Sequence, residues 1–247
     1  DKVMMGAERR SMVLTADQKE KTAYHEAGHA IVGMNLPKCD PVYKATIIPR
    51  GGALGMVVSL PEMDRLNMHK DEGKQKIAMT MAGKAAEIIK YGEEGVSSGP
   101  AGDIMQASSL ARAMVMRWGM SDVIGNIDYA EAHEGYQGNA AGFSVSAETK
   151  KLIEQEVKRL IDEGYETARR ILLEKADDFE RLARGLLEYE TLTGDEIRRV
   201  IAGETIGGDE PPAKPPASGG ITSVVAIPKT KTRSKAPKPG PEPEPAV

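Results

Sequence analysis

The sequence contains a single cysteine, Cys39, which excludes an intramolecular disulfide and any zinc framework built from several cysteines. A chain with so few thiols fits a reducing compartment best. Aromatic residues make up only 4% of the chain and the formal net charge is −4 at pH 7, so stacking rings and a basic surface are both scarce. We therefore expect no nucleic-acid partner.

Long apolar runs are also missing, because no stretch approaches the roughly 20 residues that a bilayer-spanning helix needs. The chain opens on Asp1 in the polar segment DKVMMGAERR, which favours a linker within a longer protein. Ten of the fifteen prolines fall in residues 207–247, which contain no aromatic residue. This composition is typical of a disordered tail. We expect a linker over residues 1–14, one domain over 15–206 and a tail over 207–247.

Hydrophobic spacing predicts a mainly helical domain with a small sheet. Thr15 and Gln18 form a capping-box pattern that starts the first helix. Two β-rich runs in residues 42–60 predict a hairpin, and Pro49 makes the first run an edge strand. A surface loop rich in glycine, asparagine and aspartate is expected over residues 120–143. The helices are predicted over residues 16–36, 70–90, 103–118 and 147–173, around Phe179 to Leu186, and from the capping box of Thr193 and Glu196 onward.

The stretch TAYHEAGHAIVGM places His25 and His29 four residues apart on the first helix. Such residues are about 40° apart around the axis and one turn apart along it, so both imidazoles can meet at one ion. Glu26 lies beside them and is placed to accept a proton from a metal-activated water molecule. A separate apolar stripe is expected on the opposite face, formed by Ala23, Ala27, Ala30, Ile31 and Met34. A pair of polar helix residues without a metal is the simpler alternative.

A catalytic zinc site usually has a third protein ligand, and residue types alone leave its identity open. The metzincin extension of the motif fails, because Asn35 stands where its third histidine belongs. His69 and His133 lie in polar stretches that favour surface positions. Glu87 is an acidic residue on an otherwise apolar helix, and Asp103 follows a glycine-rich approach at a helix start, where an aspartate is often only a cap.

Several long stretches resemble the FtsH family of membrane-anchored, ATP-dependent zinc proteases. The resemblance covers residues 2–203 and is carried, in order, by KVMMGAERRSMVLTADQKEKTAYHEAGHAIV, ATIIPRGGALGMVVSLPE, MAGKAAEIIKYG and SSGPAGDIMQASSLARAMVMRWGMSD. It implies a helical zinc-metalloprotease domain with a hairpin beside the H-E-x-x-H helix. The sequence has no G-x-x-x-x-G-K-[ST] phosphate loop, so the ATPase module of such proteins is not in this chain.

The resemblance also implies roles for individual residues. His25, His29 and Asp103 would bind one Zn²⁺ per chain, Glu26 would act as general base, and Glu87 would orient a ligand imidazole. An edge strand formed by Ala53, Leu54, Gly55, Met56 and Val57 would pair with the backbone of an extended substrate. Three positions depart from the usual family pattern, namely Lys84, Ile88 and Pro100.

At the level of the whole protein, the resemblance implies processive degradation of unfolded or membrane-extracted proteins by a homo-hexamer. ATP would act through the missing module, and the missing N-terminal part would anchor the protein in a bacterial inner membrane with this domain on the cytoplasmic side. An intramembrane zinc protease would need several apolar spans, which the sequence lacks. The remaining alternative is a non-catalytic assembly module with a structural or empty metal site.

Overall fold

The computed structural model describes residues 14–50, 52–61, 67–129 and 145–206. In these ranges the chain forms six α-helices and one three-stranded antiparallel sheet, which confirms a mainly helical domain with a small sheet. The helices are α1 (Ala16–Met34), α2 (Lys70–Tyr91), α3 (Ala101–Met116), α4 (Ala147–Glu174), α5 (Ala176–Tyr189) and α6 (Gly194–Ile201). The strands are β1 (Val42–Thr46), β2 (Met56–Ser59) and β3 (Thr191–Thr193).

Both predicted capping boxes are confirmed. The Thr15 hydroxyl accepts from the Gln18 backbone N–H, and the Gln18 side chain accepts from the Thr15 N–H. Thr193 and Glu196 make the same reciprocal pair at the start of α6.

Helix α3 differs from its predicted bounds, since it begins at Ala101 and ends at Met116 rather than spanning residues 103–118. Gly119 is left-handed with φ 60°, and the next N–H, that of Met120, donates to the carbonyl of Met114. This C-terminal closure ends the helix three residues before the glycine.

The prediction that Pro49 makes the first β-run an edge strand is wrong. Strand order is β2-β1-β3, so β1 is the middle strand and ends at Thr46, before the proline. The covering strand β3 comes from far along the chain, and the Ile47 N–H extends this contact by donating to the Glu190 carbonyl. Strand β2 therefore lies at an edge of the sheet, next to α1.

Helix α1 is buried on nearly every side, so its packing extends well beyond the expected apolar stripe. Within residues 22–33 only His25 and His29 are not buried. The surrounding contacts come from α2, α4, α5 and the sheet. Helix α2 runs through the centre of the domain and packs against α1, α3 and α4, so it contributes to both hydrophobic clusters.

Three expectations fall wholly or largely outside the described residues: the linker over residues 1–14, the tail over 207–247 and the second half of the loop over 120–143. The described part of that loop has neither helix nor strand, but Ser121 and Ile124 are buried, so it is not a pure surface segment. None of the helices in the described ranges has both the length and the hydropathy of a bilayer span.

Candidate metal centre

The two histidines of α1 are held by α2, which accepts a hydrogen bond from each imidazole. His29 Nδ1 donates to the backbone carbonyl of Met79 at 2.8 Å, and His25 Nδ1 bonds Glu87 Oε1 at 2.9 Å. With the protons on Nδ1, the neutral rings present lone pairs on Nε2. These two Nε2 atoms are only 3.1 Å apart, so both lone pairs face one position.

Asp103 completes this arrangement from the first turn of α3. Its Oδ2 atom lies 3.1 Å from His25 Nε2 and 3.4 Å from His29 Nε2. It is buried and has no hydrogen-bond partner when both rings are neutral. In the described part of the chain, these three residues are the group whose ligand atoms, all within 4.8 Å of one another, could hold a metal ion. Three lone-pair donors around one position fit Zn²⁺, which takes imidazole nitrogen and carboxylate oxygen at about 2.0–2.2 Å.

The electrostatics of the site favour positive charge between these three residues. Burial lowers the pKa of His25, but the carboxylates of Asp103 and Glu87 beside the ring outweigh it and raise the pKa to about 10. Burial raises the pKa of Asp103, while its contacts with both histidines hold this pKa far below the usual range. The two imidazoles and this carboxylate would therefore favour a cation at the position that they share.

Glu26 sits on the same turn of α1 but points toward the sheet side. Its side chain is buried, and burial raises its pKa, opposed by the charges of His29 and His25. A Cβ added at Gly55 would lie 2.7 Å from Glu26 Oε1, so the segment before β2 runs directly over this carboxylate. A buried carboxylate with a raised pKa has the properties of a general base that also returns a proton.

Glu87 connects the histidine pair to the segment that leads into α3. One carboxylate oxygen bonds His25, and the other accepts the Ser97 backbone N–H at 2.8 Å. Burial raises the pKa of Glu87, but the hydrogen bonds from His25 and Ser97 lower it further than burial raises it. The residue therefore stays ionised and can hold the imidazole and the approach to Asp103 in fixed positions.

These side chains line a cleft of about 970 Å³. One wall is the segment of the expected substrate strand, in which Met56 and Val57 belong to the edge strand β2 and Ala53 pairs with Arg50. Leu54 and Gly55 lie between them and also line the cleft. Lys76, Met79 and Thr80 of α2 also line the cleft.

The other sequence candidates lie elsewhere. His69 is exposed at the N-terminal end of α2 and outside the ligand cluster, while His133 is outside the described residues. Pro100 does not disturb the site, since its φ of −67° suits a helix start and its carbonyl accepts from the Ile104 N–H. The roles of the Met79 carbonyl and of Gly83, which lies under both imidazoles, were not anticipated. A backbone acceptor and a missing side chain leave no residue-type signal in a sequence.

A mainly helical domain with an H-E-x-x-H helix, a third carboxylate donor and a cleft along a sheet edge has the architecture of a metallopeptidase. Residues 12–200 match the model of Peptidase family M41, and the chain belongs to this family. The resemblance to FtsH proteases is thereby confirmed.

Curated relatives agree with this assignment. The chain is 51% identical to the ATP-dependent zinc metalloprotease FtsH of Caulobacter vibrioides over 206 residues, covering 82% of this chain and 33% of the relative. It is 46% identical over 211 residues to the protein of the same name from Rickettsia bellii, covering 85% and 33%. The chain thus spans about a third of the length of these relatives.

Proposed function

We propose that this chain is the zinc-dependent endopeptidase part of an ATP-dependent protease. The convergence of two imidazole lone pairs and the unpartnered Asp103 Oδ2 on one position carries the proposal. His25, His29 and Asp103 hold one zinc ion, and Glu87 positions His25. When bound, zinc activates a water molecule and polarises the scissile carbonyl of a peptide.

Residues of this chain carry out proton transfer and substrate binding. Glu26 accepts a proton at its carboxylate, holds it in a buried setting where its raised pKa favours the protonated form, and donates it to the leaving amine. The free edge of β2, with residues 53–57, binds the substrate as an added strand. Such pairing uses backbone hydrogen bonds, so it tolerates many side chains and requires an unfolded substrate.

The activity of the whole protein follows from its relatives and from the family resemblance. The relatives are named ATP-dependent zinc metalloproteases, and the part of them that this chain does not cover has room for an ATPase module. We propose that this module feeds unfolded or membrane-extracted proteins to the cleft processively, in a homo-hexamer. The same resemblance supports an anchor in a bacterial inner membrane, with this domain on the cytoplasmic side.

Zinc content and peptide cleavage, measured side by side, test the site. The purified chain is expected to hold about one zinc and to cleave a flexible, unstructured peptide without ATP. Glu26→Gln should keep the zinc and lose about 10²- to 10⁴-fold in turnover, the range that general acid-base catalysis contributes. Asp103→Ala should lose both zinc and turnover.

Glu154→Gln is the matched control, because it neutralises an exposed carboxylate on α4 outside the cleft. Zinc and turnover should both be unchanged in this variant. Continued cleavage by Glu26→Gln would remove Glu26 as the base. An unmodified chain that binds no zinc would instead support the non-catalytic assembly module.

A further inference from the structure

Helix α2 contacts the histidine pair at three positions spaced four residues apart. Met79 accepts the hydrogen bond of His29, and Glu87 accepts that of His25. Gly83 lies midway between them, one turn from each. All three therefore share the face of α2 that is turned toward α1.

The position of Gly83 leaves no room for a side chain. A Cβ built on it would lie 2.4 Å from His25 Cε1, 2.5 Å from His25 Nε2 and 2.7 Å from His29 Nε2. Both imidazoles would have to retreat by most of an ångström to reach ordinary van der Waals contact. They cannot do so while each Nδ1 keeps its hydrogen bond to α2, because those bonds fix the rings against the same helix face.

The backbone of α2 gives no other reason for glycine at this position. Gly83 lies in the interior of the helix and is not among the residues with positive φ. In a helix interior, glycine is less favourable than alanine. Its neighbours Ala82, Ala85 and Ala86 are all fully buried alanines. At position 83, the atoms nearest to where a Cβ would lie belong to the two imidazole rings.

We propose that Gly83 is a positioning residue of the metal centre: the missing side chain is what allows two anchored imidazoles to direct their Nε2 atoms at one ion. The proposal rests on the zinc site of the proposed function. Gly83 touches no substrate and acts through His25 and His29. A methyl group at this position turns one or both rings away from the geometry in which the ion is bound.

Zinc affinity of the full chain, measured by competition with a chelator, tests this role. Gly83→Ala should weaken zinc binding by about 10- to 100-fold, the range for losing a group that orients a metal ligand. Far-UV circular dichroism should be unchanged. Gly73→Ala is the matched control on the same helix, because the atoms nearest to its added Cβ belong to the thioether end of Met114, away from the histidines. Equal zinc affinity in Gly83→Ala and Gly73→Ala would overturn the proposal.

The two proposals fail in different ways. If the unmodified chain bound no zinc, both the proposed function and the positioning role of Gly83 would be contradicted. If the unmodified chain bound zinc and Gly83→Ala bound it equally well, only the role of Gly83 would fall.

A double-mutant cycle measured by thermal unfolding in zinc-free buffer keeps the proposal testable if Gly83→Ala is too unstable for its zinc affinity to be measured. Gly83→Ala should lower the unfolding midpoint of the parent chain, whereas the same change in a His25→Ala/His29→Ala background should not, because the rings it strikes are gone. In that background the helix propensity of alanine should raise the midpoint. An equal loss in both backgrounds would show that the clash lies with other atoms, which would also overturn the proposal.

Discussion

A second glycine constrains the base rather than the metal ligands. A Cβ added at Gly55 would lie 2.6 Å from Thr22 Cγ2 and 2.7 Å from both Glu26 Cγ and Oε1. We expect Gly55→Ala to displace the Glu26 carboxylate and to lower turnover by about 100-fold, the cost of misplacing a catalytic group by about 1 Å. Zinc content should stay that of the unmodified chain, since no ligand is touched.

Gly52→Ala is the control for this prediction, because nothing lies within 4 Å of its added Cβ. Both variants change one glycine in the segment that precedes β2. Peptide cleavage and elemental analysis of the two proteins separate the effects. Equal turnover in Gly55→Ala and Gly52→Ala would show that the carboxylate tolerates the methyl group.

The individual residues of the site differ in how far a sequence can define them. His25, Glu26 and His29 lie within one helical turn, so their spacing alone predicts a shared position. Asp103 comes from a different helix, and only the packing of α3 against α2 brings it to the histidines. This packing is what distinguishes Asp103 from Glu87 as the candidate third ligand. Gly83 acts through the absence of a side chain. Spacing rules predict side chains that are present, not the room that must be left for them.

At the scale of elements, helices were predictable and the sheet was less so. Helix starts at Thr15 and Thr193 depend on side chains three residues away, which a local pattern captures. Strand β3 has three residues and pairs with a strand that lies far earlier in the chain. Such a pairing depends on tertiary contacts and has no local signal. Because β3 was missed, β1 was assigned to an edge that in fact belongs to β2.

One contact between elements gives a prediction that depends on pH. Glu156 of α4 accepts two hydrogen bonds from Arg159 and one from the Ser121 hydroxyl, at 2.6 Å, and so joins α4 to the segment after α3. The Arg159 hydrogen bonds, opposed by burial and aided by Ser121, lower the pKa of Glu156 to about 2. A carboxyl group whose pKa is lower in the folded state stabilises that state above its unfolded pKa.

Glu156→Gln should therefore lower the free energy of unfolding by about 2 kcal/mol at pH 7, a figure reduced for the solvent exposure of Arg159. The difference from the unmodified chain should shrink below about pH 4.5 and vanish only below about pH 2, where the native carboxyl group is protonated too. Urea unfolding across this pH range measures the difference. Glu154→Gln, on the exposed side of the same helix, should show none of it. A constant difference at every pH would point to packing rather than charge.

For the domain as a whole, the proposed metal centre joins parts that are distant in the chain. His25 and His29 come from α1, their anchors from α2, and Asp103 from α3. Between α2 and α3, the segment around Ser97 is tied to the site through Glu87. Without an ion, Asp103 would be linked to His25 and His29 only through a proton on one of the imidazoles. Helices α4, α5 and α6 pack mainly through the two hydrophobic clusters, and none of their residues lines the cleft.

Metal removal should therefore loosen one part of the domain and leave the rest. With free zinc at 1,000 times its Kd, chelation should lower the free energy of unfolding by about 4 kcal/mol. Hydrogen exchange should increase in residues 93–106, which connect α2 to Asp103, and stay unchanged in the buried part of α4. The same treatment of Asp103→Ala should change neither quantity, because that variant has no bound zinc to lose. A loss of stability on chelation in Asp103→Ala would mean that the stabilising ion is bound by other residues, since linkage requires a site that the native state alone offers.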